Sequence, residues 1–308
     1  MKKSIRVALI QHAPVFLDLQ GSLKKARQLL SEAAAGGAEL VVFGETWLTG
    51  YPAWLDHCPD IAMWGHGPTQ EVFSMTYEQA VEVPGPVTEE LGAMARAAGV
   101  GMVMGIHEKI PTGSMYNSVL TFGADGRLLN HHRKLVPTYT EKLLHQHGDG
   151  QGLKVVETQG VRVGASICWE HWMPHTRQSL HLQAEDIHIA LWPNVHEMHQ
   201  VASRHYAFEG RCYVLAIGQM LPVKAIPPIL KLKPEIADKP EHLLLWGGSC
   251  VVGPDGFYVL EPQIGVEDIF YADLDLNRIP QEKMTLDVAG HYNRPDVFSF
   301  EVNTERRG

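Results

Sequence analysis

Apolar positions along this chain recur with two periods. Short, nearly continuous apolar runs read as buried strands: SIRVALIQ (4–11), ELVVFG (39–44), VGMVMGIHEK (100–109), YNSVLTFG (116–123) and RLLNHHR (127–133) in the first half. VRVGASI (161–167), IHIALW (187–192), YVLAIGQ (213–219), GGSCVVG (247–253), FYVLE (257–261) and IFYADLD (269–275) continue the series in the second half. Helical spacing marks GSLKKARQLLSEAAAGG (21–37), where Leu23, Ala26, Leu29 and Leu30 share one face and glycines end the pattern. VTEELGAMARAAG (87–99) reads the same way, with acids in its first turn. Segments near 174–184 and 197–210 are the remaining predicted helices. Asp125-Gly126 and Pro254-Asp255-Gly256 predict hairpin turns. From Glu45 to Pro84 the pattern dissolves into a stretch rich in aromatics, proline and glycine. A connection this long is more often functional than passive. Strand–helix units mixed with hairpins predict a layered α/β fold with mixed sheets and helices outside.

Composition narrows the class. The chain has 308 residues, 45% hydrophobic and 20% charged, enough apolar material for a sizeable core. No linker, repeat or low-complexity tract marks a boundary, so residues 1–308 are expected to form a single domain. A formal charge of −9 argues against a nucleic-acid or anionic-membrane partner. The N-terminus is basic and then apolar, but its VALI core is too short for a signal peptide. No run approaches the roughly 20 apolar residues of a membrane span. Cys58, Cys168, Cys212 and Cys250 are too scattered for a disulfide framework. A reduced, cytoplasmic protein is the expectation.

Three strand ends then stand out. Glu45 follows ELVVFG, Lys134 follows RLLNHHR and Cys168 follows VRVGASI. The carboxyl ends of strands are where open α/β sheets place reactive groups. A thiol is a weak nucleophile near its free pKa of about 8.5 and needs a base or a positive neighbour. A carboxylate in a dry pocket can serve as that base, and an ammonium can stabilise the charge that develops when sulfur adds to an unsaturated carbon. Taken singly, each has a plain structural reading. A lone cysteine at a strand end is more often core, and an acid or a lysine there is more often a solvated loop residue. Cys58, Cys212 and Cys250 keep the core reading.

The surroundings of the three change the balance. GETWLTGYP around Glu45, HHRKLVPTYTEK around Lys134 and CWEHWMP around Cys168 resemble the three signature segments of the nitrilase branch of the carbon-nitrogen hydrolase superfamily, in the family's order. The likeness extends through GDG (148–150), WPNVHEMHQVASRHYAFEGR (192–211), GGSCVVGPDG (247–256) and GHYNRPDVF (290–298), essentially the whole chain. It implies a four-layer α-β-β-α sandwich of two mixed β-sheets. It also implies catalytic roles for Glu45, Lys134 and Cys168, with Glu141 orienting the lysine and substrate. Trp169 would offer its backbone N–H to the intermediate, and Glu170 would hold the turn. Cys-Trp-Glu together with Lys-Leu-x-Pro-Thr at 134–138 resembles the nitrile-hydrolysing branch rather than the amidases. Lys142, His145 and His171 depart from residues common in that branch and bear on substrate range. The implied substrate is a small-molecule nitrile, with no cofactor and no metal, and the implied assembly is a homo-oligomer, a dimer or larger. Tyr51, Trp169, Trp192 and Pro193 are expected around the substrate, with Glu170 and His171 behind the site.

Other chemistries find less support in the sequence. His196 and His199 in HEMHQ miss the H-E-x-x-H zinc spacing by one residue, and His145 and His147 form only a loose pair. No Cys/His cluster has structural zinc spacing. Neither G-x-G-x-x-G after a strand nor a phosphate loop is present, which argues against a nucleotide cofactor. Glu209 and Arg211 are a possible ion pair. An amidase or carbamoylase on the same fold, or a catalytically silent binding protein, are the alternatives to a nitrilase.

Overall fold

The computed structural model describes residues 2–307. The described residues form thirteen strands, eleven of them on the apolar runs and two, β6 and β10, outside them: β1 (Ser4–Gln11), β2 (Leu40–Val42), β3 (Gly101–Lys109), β4 (Met115–Phe122), β5 (Leu128–Arg133), β6 (Val156–Thr158), β7 (Val161–Ile167), β8 (Ile187–Leu191), β9 (Tyr213–Ile217), β10 (Met220–Pro222), β11 (Leu243–Val252), β12 (Tyr258–Ile264) and β13 (Asp268–Asp275). The helices are α1 (Leu19–Ala35), α2 (Trp54–His57), α3 (Gly67–Gln79), α4 (Pro86–Ala98), α5 (Pro174–His181), α6 (Glu197–Gly210), α7 (Pro234–Ala237) and α8 (Arg278–Lys283). One sheet has the order β13-β1-β2-β3-β4-β5, and the other β10-β11-β9-β8-β7-β6 with β12 beside β11. Both are mixed. The trios β1–β2–β3 and β7–β8–β9 run parallel, and antiparallel strands flank each trio. Both predicted hairpins form: Gly123 N–H bonds Arg127 C=O at 3.0 Å, and Gly253 N–H bonds Phe257 C=O at 2.8 Å.

The period-two alternation of the strands dictates the layers. On β1 and β2, Val7, Leu9, Leu40 and Val42 face a core shared with Val163, Ile167, Ile189 and Leu215 of the other sheet. The intervening Ala8, Ile10 and Val41 pack against Leu23, Leu29 and Leu30 of α1 and Leu91 of α4. On the far side Tyr206 of α6 covers His188 of β8, ring centroids 3.7 Å apart. The order is therefore helix, sheet, sheet, helix. Sequence pattern missed part of the 45–84 connection, which contains α2 and α3. Helix α3 buries only Val72 and Thr76, so it lacks the apolar stripe by which a helix is read.

Candidate active site

Glu45 leaves the end of β2, Lys134 the end of β5 and Cys168 the end of β7, and the two sheets bring the three ends together. The site is dry: Glu45, Lys134, Glu141 and Cys168 are each at most 2% exposed. Lys134 Nζ donates to Glu45 Oε1 at 2.9 Å and to both oxygens of Glu141 at 2.9 and 2.7 Å. The two carboxylates and the Cys168 sulfur lie within 4.8 Å of one another. Tyr51 hydroxyl and the Thr138 N–H also donate to Glu141, at 2.8 and 3.0 Å, a donor set that suits an ionised carboxylate. Thr138 hydroxyl faces the Cys168 sulfur at 3.8 Å. Asn117 of β4 donates to Glu45 Oε1 at 2.7 Å, and Gln219 donates to the Glu45 carbonyl. Glu45 Oε2 is buried with no protein partner.

The Cys168 turn is sharp. Its φ of +53° is a left-handed conformation that costs a residue with a side chain about 1–3 kcal/mol. Strand-to-helix turns of this kind expose a nucleophile at the top of a sheet. Glu170 holds the turn closed. Its carboxylate accepts from Ile167 N–H at 2.7 Å, Leu135 N–H at 2.8 Å and His132 Nε2 at 3.0 Å. One buried side chain thus ties the Cys168 turn to the residue after Lys134. Burial opposes the Glu170 charge, but His132 and the two backbone donors hold its carboxyl below the ordinary value.

Electrostatics set the protonation states. Burial pushes the Glu45 carboxyl up from 4.5 to about 7, with Lys134 opposing the rise and Glu141 reinforcing it. Burial also raises the Cys168 thiol well above its ordinary value, again opposed by Lys134. For Lys134 burial works against the charge, yet Cys168, Glu141 and Glu45 together hold its ammonium well above the ordinary range. At neutral pH the cluster therefore contains an un-ionised thiol, an ammonium and an acid that titrates far above the ordinary carboxylate range. Glu45, Glu141 and Cys168 have the spacing of metal ligands, but the cation at contact distance from their carboxylates is Lys134 itself.

A cleft of about 360 Å³ opens beside the cluster, with Tyr51, Pro193, Asn194, His196, His199 and Trp246 in its walls. Trp192 is fully buried behind Pro193, stacked on His199 at 4.1 Å. Trp169 is 53% exposed and does not line the cleft. His145 pairs with His107 at 2.8 Å, not with His147. His196 and His199 stack on each other, and His199 Nδ1 bonds the Asn194 carbonyl. Glu209 and Arg211 do not pair: Glu209 binds Arg177 at 2.7 Å, and Arg211 turns to the Pro254 carbonyl at 3.1 Å. The reason is the left-handed backbone at Arg211, φ +49°, which ends α6 and swings its side chain away. Thr138 entered the sequence reading only as the end of Lys-Leu-x-Pro-Thr, and Asn117 and Gln219 had no place in it. The one available signal was a polar residue inside a wholly buried strand, as Asn117 is in β4.

Comparison with known proteins agrees with this geometry. The carbon-nitrogen hydrolase family model matches residues 6–283. The chain belongs to the carbon-nitrogen hydrolase family. Within it the chain is 36% identical over 302 residues to a bifunctional nitrilase/nitrile hydratase of Lupinus angustifolius, covering 97% of this chain and 86% of that one. It is 37% identical over 300 residues to an aliphatic nitrilase of Sinorhizobium fredii, covering 97% and 96%. The fold matches the crystal structure of Saccharomyces cerevisiae Nit3, a nitrilase-superfamily member, with a TM-score of 0.72 at 20% identity, covering 96% of this chain and 98% of that one.

Proposed function

We infer that the protein is a nitrilase that converts R–C≡N and two waters to R–COOH and ammonia through a covalent intermediate on Cys168. The observation that carries this reading is the pair of buried carboxylates, Glu45 and Glu141, within 4.8 Å of a strained, buried thiol and bridged by Lys134. Glu45 takes the thiol proton as sulfur adds to the nitrile carbon, and passes that proton to nitrogen, giving a thioimidate. A first water adds to form a tetrahedral species, beside the Lys134 ammonium. Proton transfer to nitrogen releases ammonia and leaves a thioester, which a second water, activated by Glu45, hydrolyses to the acid and the free thiol. Expulsion of the thiol from the tetrahedral species instead gives the amide. Glu141 keeps Lys134 charged and aimed, Tyr51 and Pro193 border the substrate, and Trp169 contributes its N–H.

The whole chain acts as one domain in this reading, and the apolar Met198, Val201 and Phe208 exposed on α6 support assembly into a homo-oligomer. Among the described residues no helix is long and apolar enough to cross a membrane. Four free cysteines, all buried, fit a reducing compartment, and we place the enzyme in the cytoplasm. The test is a nitrile panel read by ammonia release, with each matching amide alongside. Cys168→Ala is expected to remove acid formation while thermal unfolding stays cooperative, and mass spectrometry is expected to find the substrate adduct on Cys168 alone. Acid formation by Cys168→Ala at the wild-type rate, or turnover of amides but not nitriles, overturns the reading.

A further inference from the structure

The outer side of the Cys168 turn is tied to a run of buried polar groups that the reaction above does not use. His171 Nδ1 bonds the Cys168 carbonyl oxygen at 2.7 Å, and His171 Nε2 meets His188 Nε2 at 2.9 Å. His188 Nδ1 meets Glu185 Oε2 at 2.9 Å. The other Glu185 oxygen accepts from Tyr206 hydroxyl at 2.5 Å, with His181 3.4 Å away. Arg177 then closes the loop by donating to the His171 carbonyl at 3.0 Å. His171, His188 and Glu185 are at most 2% exposed. His171 also rests on Trp192, ring centroids 4.7 Å apart, directly behind the cleft.

Hydrogen-bond directions count the protons. A carbonyl oxygen only accepts, so His171 Nδ1 carries hydrogen. Burial works against the Glu185 charge, but His188 and His181 hold its carboxyl down to about 2, so it too only accepts and His188 Nδ1 carries hydrogen. The contact between the two Nε2 atoms needs one hydrogen more. Two neutral imidazoles supply two N–H groups, and this run requires three. By hydrogen-bond count the run calls for a third hydrogen on the two rings, against the burial that favours a neutral His171. The run ends on the carbonyl of the Cys168–Trp169 peptide, whose N–H belongs to Trp169. Trp169 lies in the first turn of the 3-10 helix Cys168–Trp172, where N–H groups have no partner inside the helix. A donor on one end of a peptide strengthens the N–H at its other end.

We propose that His171, backed by His188 and Glu185, is a positioning residue: it holds the Cys168 carbonyl in the left-handed turn and polarises the Cys168–Trp169 peptide, so that Trp169 N–H binds the charge that develops on the substrate. The proposal rests on the nitrilase reading. Histidine-labelled nitrogen NMR of the intact enzyme is expected to find three N–H protons on the two rings, a readout that needs no substrate. His171→Asn keeps an N–H beside the Cys168 carbonyl but ends the link to His188. His188→Asn keeps a donor for Glu185 but leaves His171 Nε2 without one. Each is expected to lower kcat for a nitrile about tenfold with KM nearly constant, and the double variant to be no worse than either single one. Two neutral rings in the wild type, unchanged kcat in a folded single variant, or losses that multiply overturn the proposal. If a variant fails to fold, the NMR proton count on the wild type still decides. A wild type that hydrolyses no nitrile overturns the functional reading instead, and the proton count then judges the charged pair separately.

Discussion

In the proposed reaction Glu45 is the general base, so it sets the pH dependence. A general base must be ionised, and its folded pKa is raised to about 7 by burial. The rate of Cys168 acylation is therefore expected to rise as pH passes through about 7 and to level off above it, measured as kcat/KM for a neutral nitrile. Glu45→Gln removes the base and is expected to lower kcat/KM by about 10²–10⁴ and to erase that rising limb. Loss of rate with the limb retained would assign the titration to another group. The three principal residues were readable because each ends an apolar run and sits in a family-like segment. Asn117 and Gln219, which orient Glu45, were not readable, because each comes from a strand or loop far away in sequence.

At the scale of elements, the site depends on close backbone approach between β3 and the turn after β2. A Cβ on Gly105 would lie 2.5 Å from Thr46 N and 2.9 Å from Glu45 Cα. Gly105→Ala must push the Glu45 turn outward, and such overpacking costs about 1–3 kcal/mol. The expected result is a lower Tm and, in the protein that remains folded, a kcat well below wild type. Leu30→Ala on α1 removes a buried side chain from the outer layer and is expected to cost about 2–5 kcal/mol. Its kcat at a temperature where it is folded should stay near wild type, since the inner layers carry the site. Equal kcat in the two variants would show that the β2–β3 contact does not position Glu45. Most strands and the amphipathic α1 were legible because burial on one or both faces writes its period into the sequence. The short β6 and β10 and the polar α3 were not, because they leave no such period.

At the scale of the whole molecule, acids paired with histidine and arginine are expected to govern stability in acid. Glu108 is held at about 2 against burial by His131 and Arg133, Glu185 at about 2 by His188 and His181, and Glu209 at about 2 by His181 and Arg177. Each folded pKa is depressed, so the unfolded chain binds more protons as pH falls below about 4.5. Their stabilisation is complete above that value and drains away toward pH 2. Tm is expected to fall steeply over this window, and Glu108→Gln to flatten the slope while lowering Tm at neutral pH. A slope unchanged in Glu108→Gln would place the acid sensitivity elsewhere. Glu45 has the opposite sign. Its raised pKa favours the protonated folded form, so its contribution declines as pH rises from about 4.5 to about 7.

By itself the sequence determined the fold class, the alternation of strands with outer helices, and the positions of the acid, the ammonium and the thiol at strand ends. These are local properties, written by burial period and by short segments around each residue. Only the tertiary structure decided what those residues are chemically. The 2.7–2.9 Å contacts of Lys134, the raised pKa of Glu45 and the strained Cys168 turn arise where two sheets bury three distant strand ends. The contact between His171 and His188 belongs to the same category, since it depends on what each ring meets across the layers. Distance and dielectric are properties of the packed molecule, and no single stretch of the chain contains them.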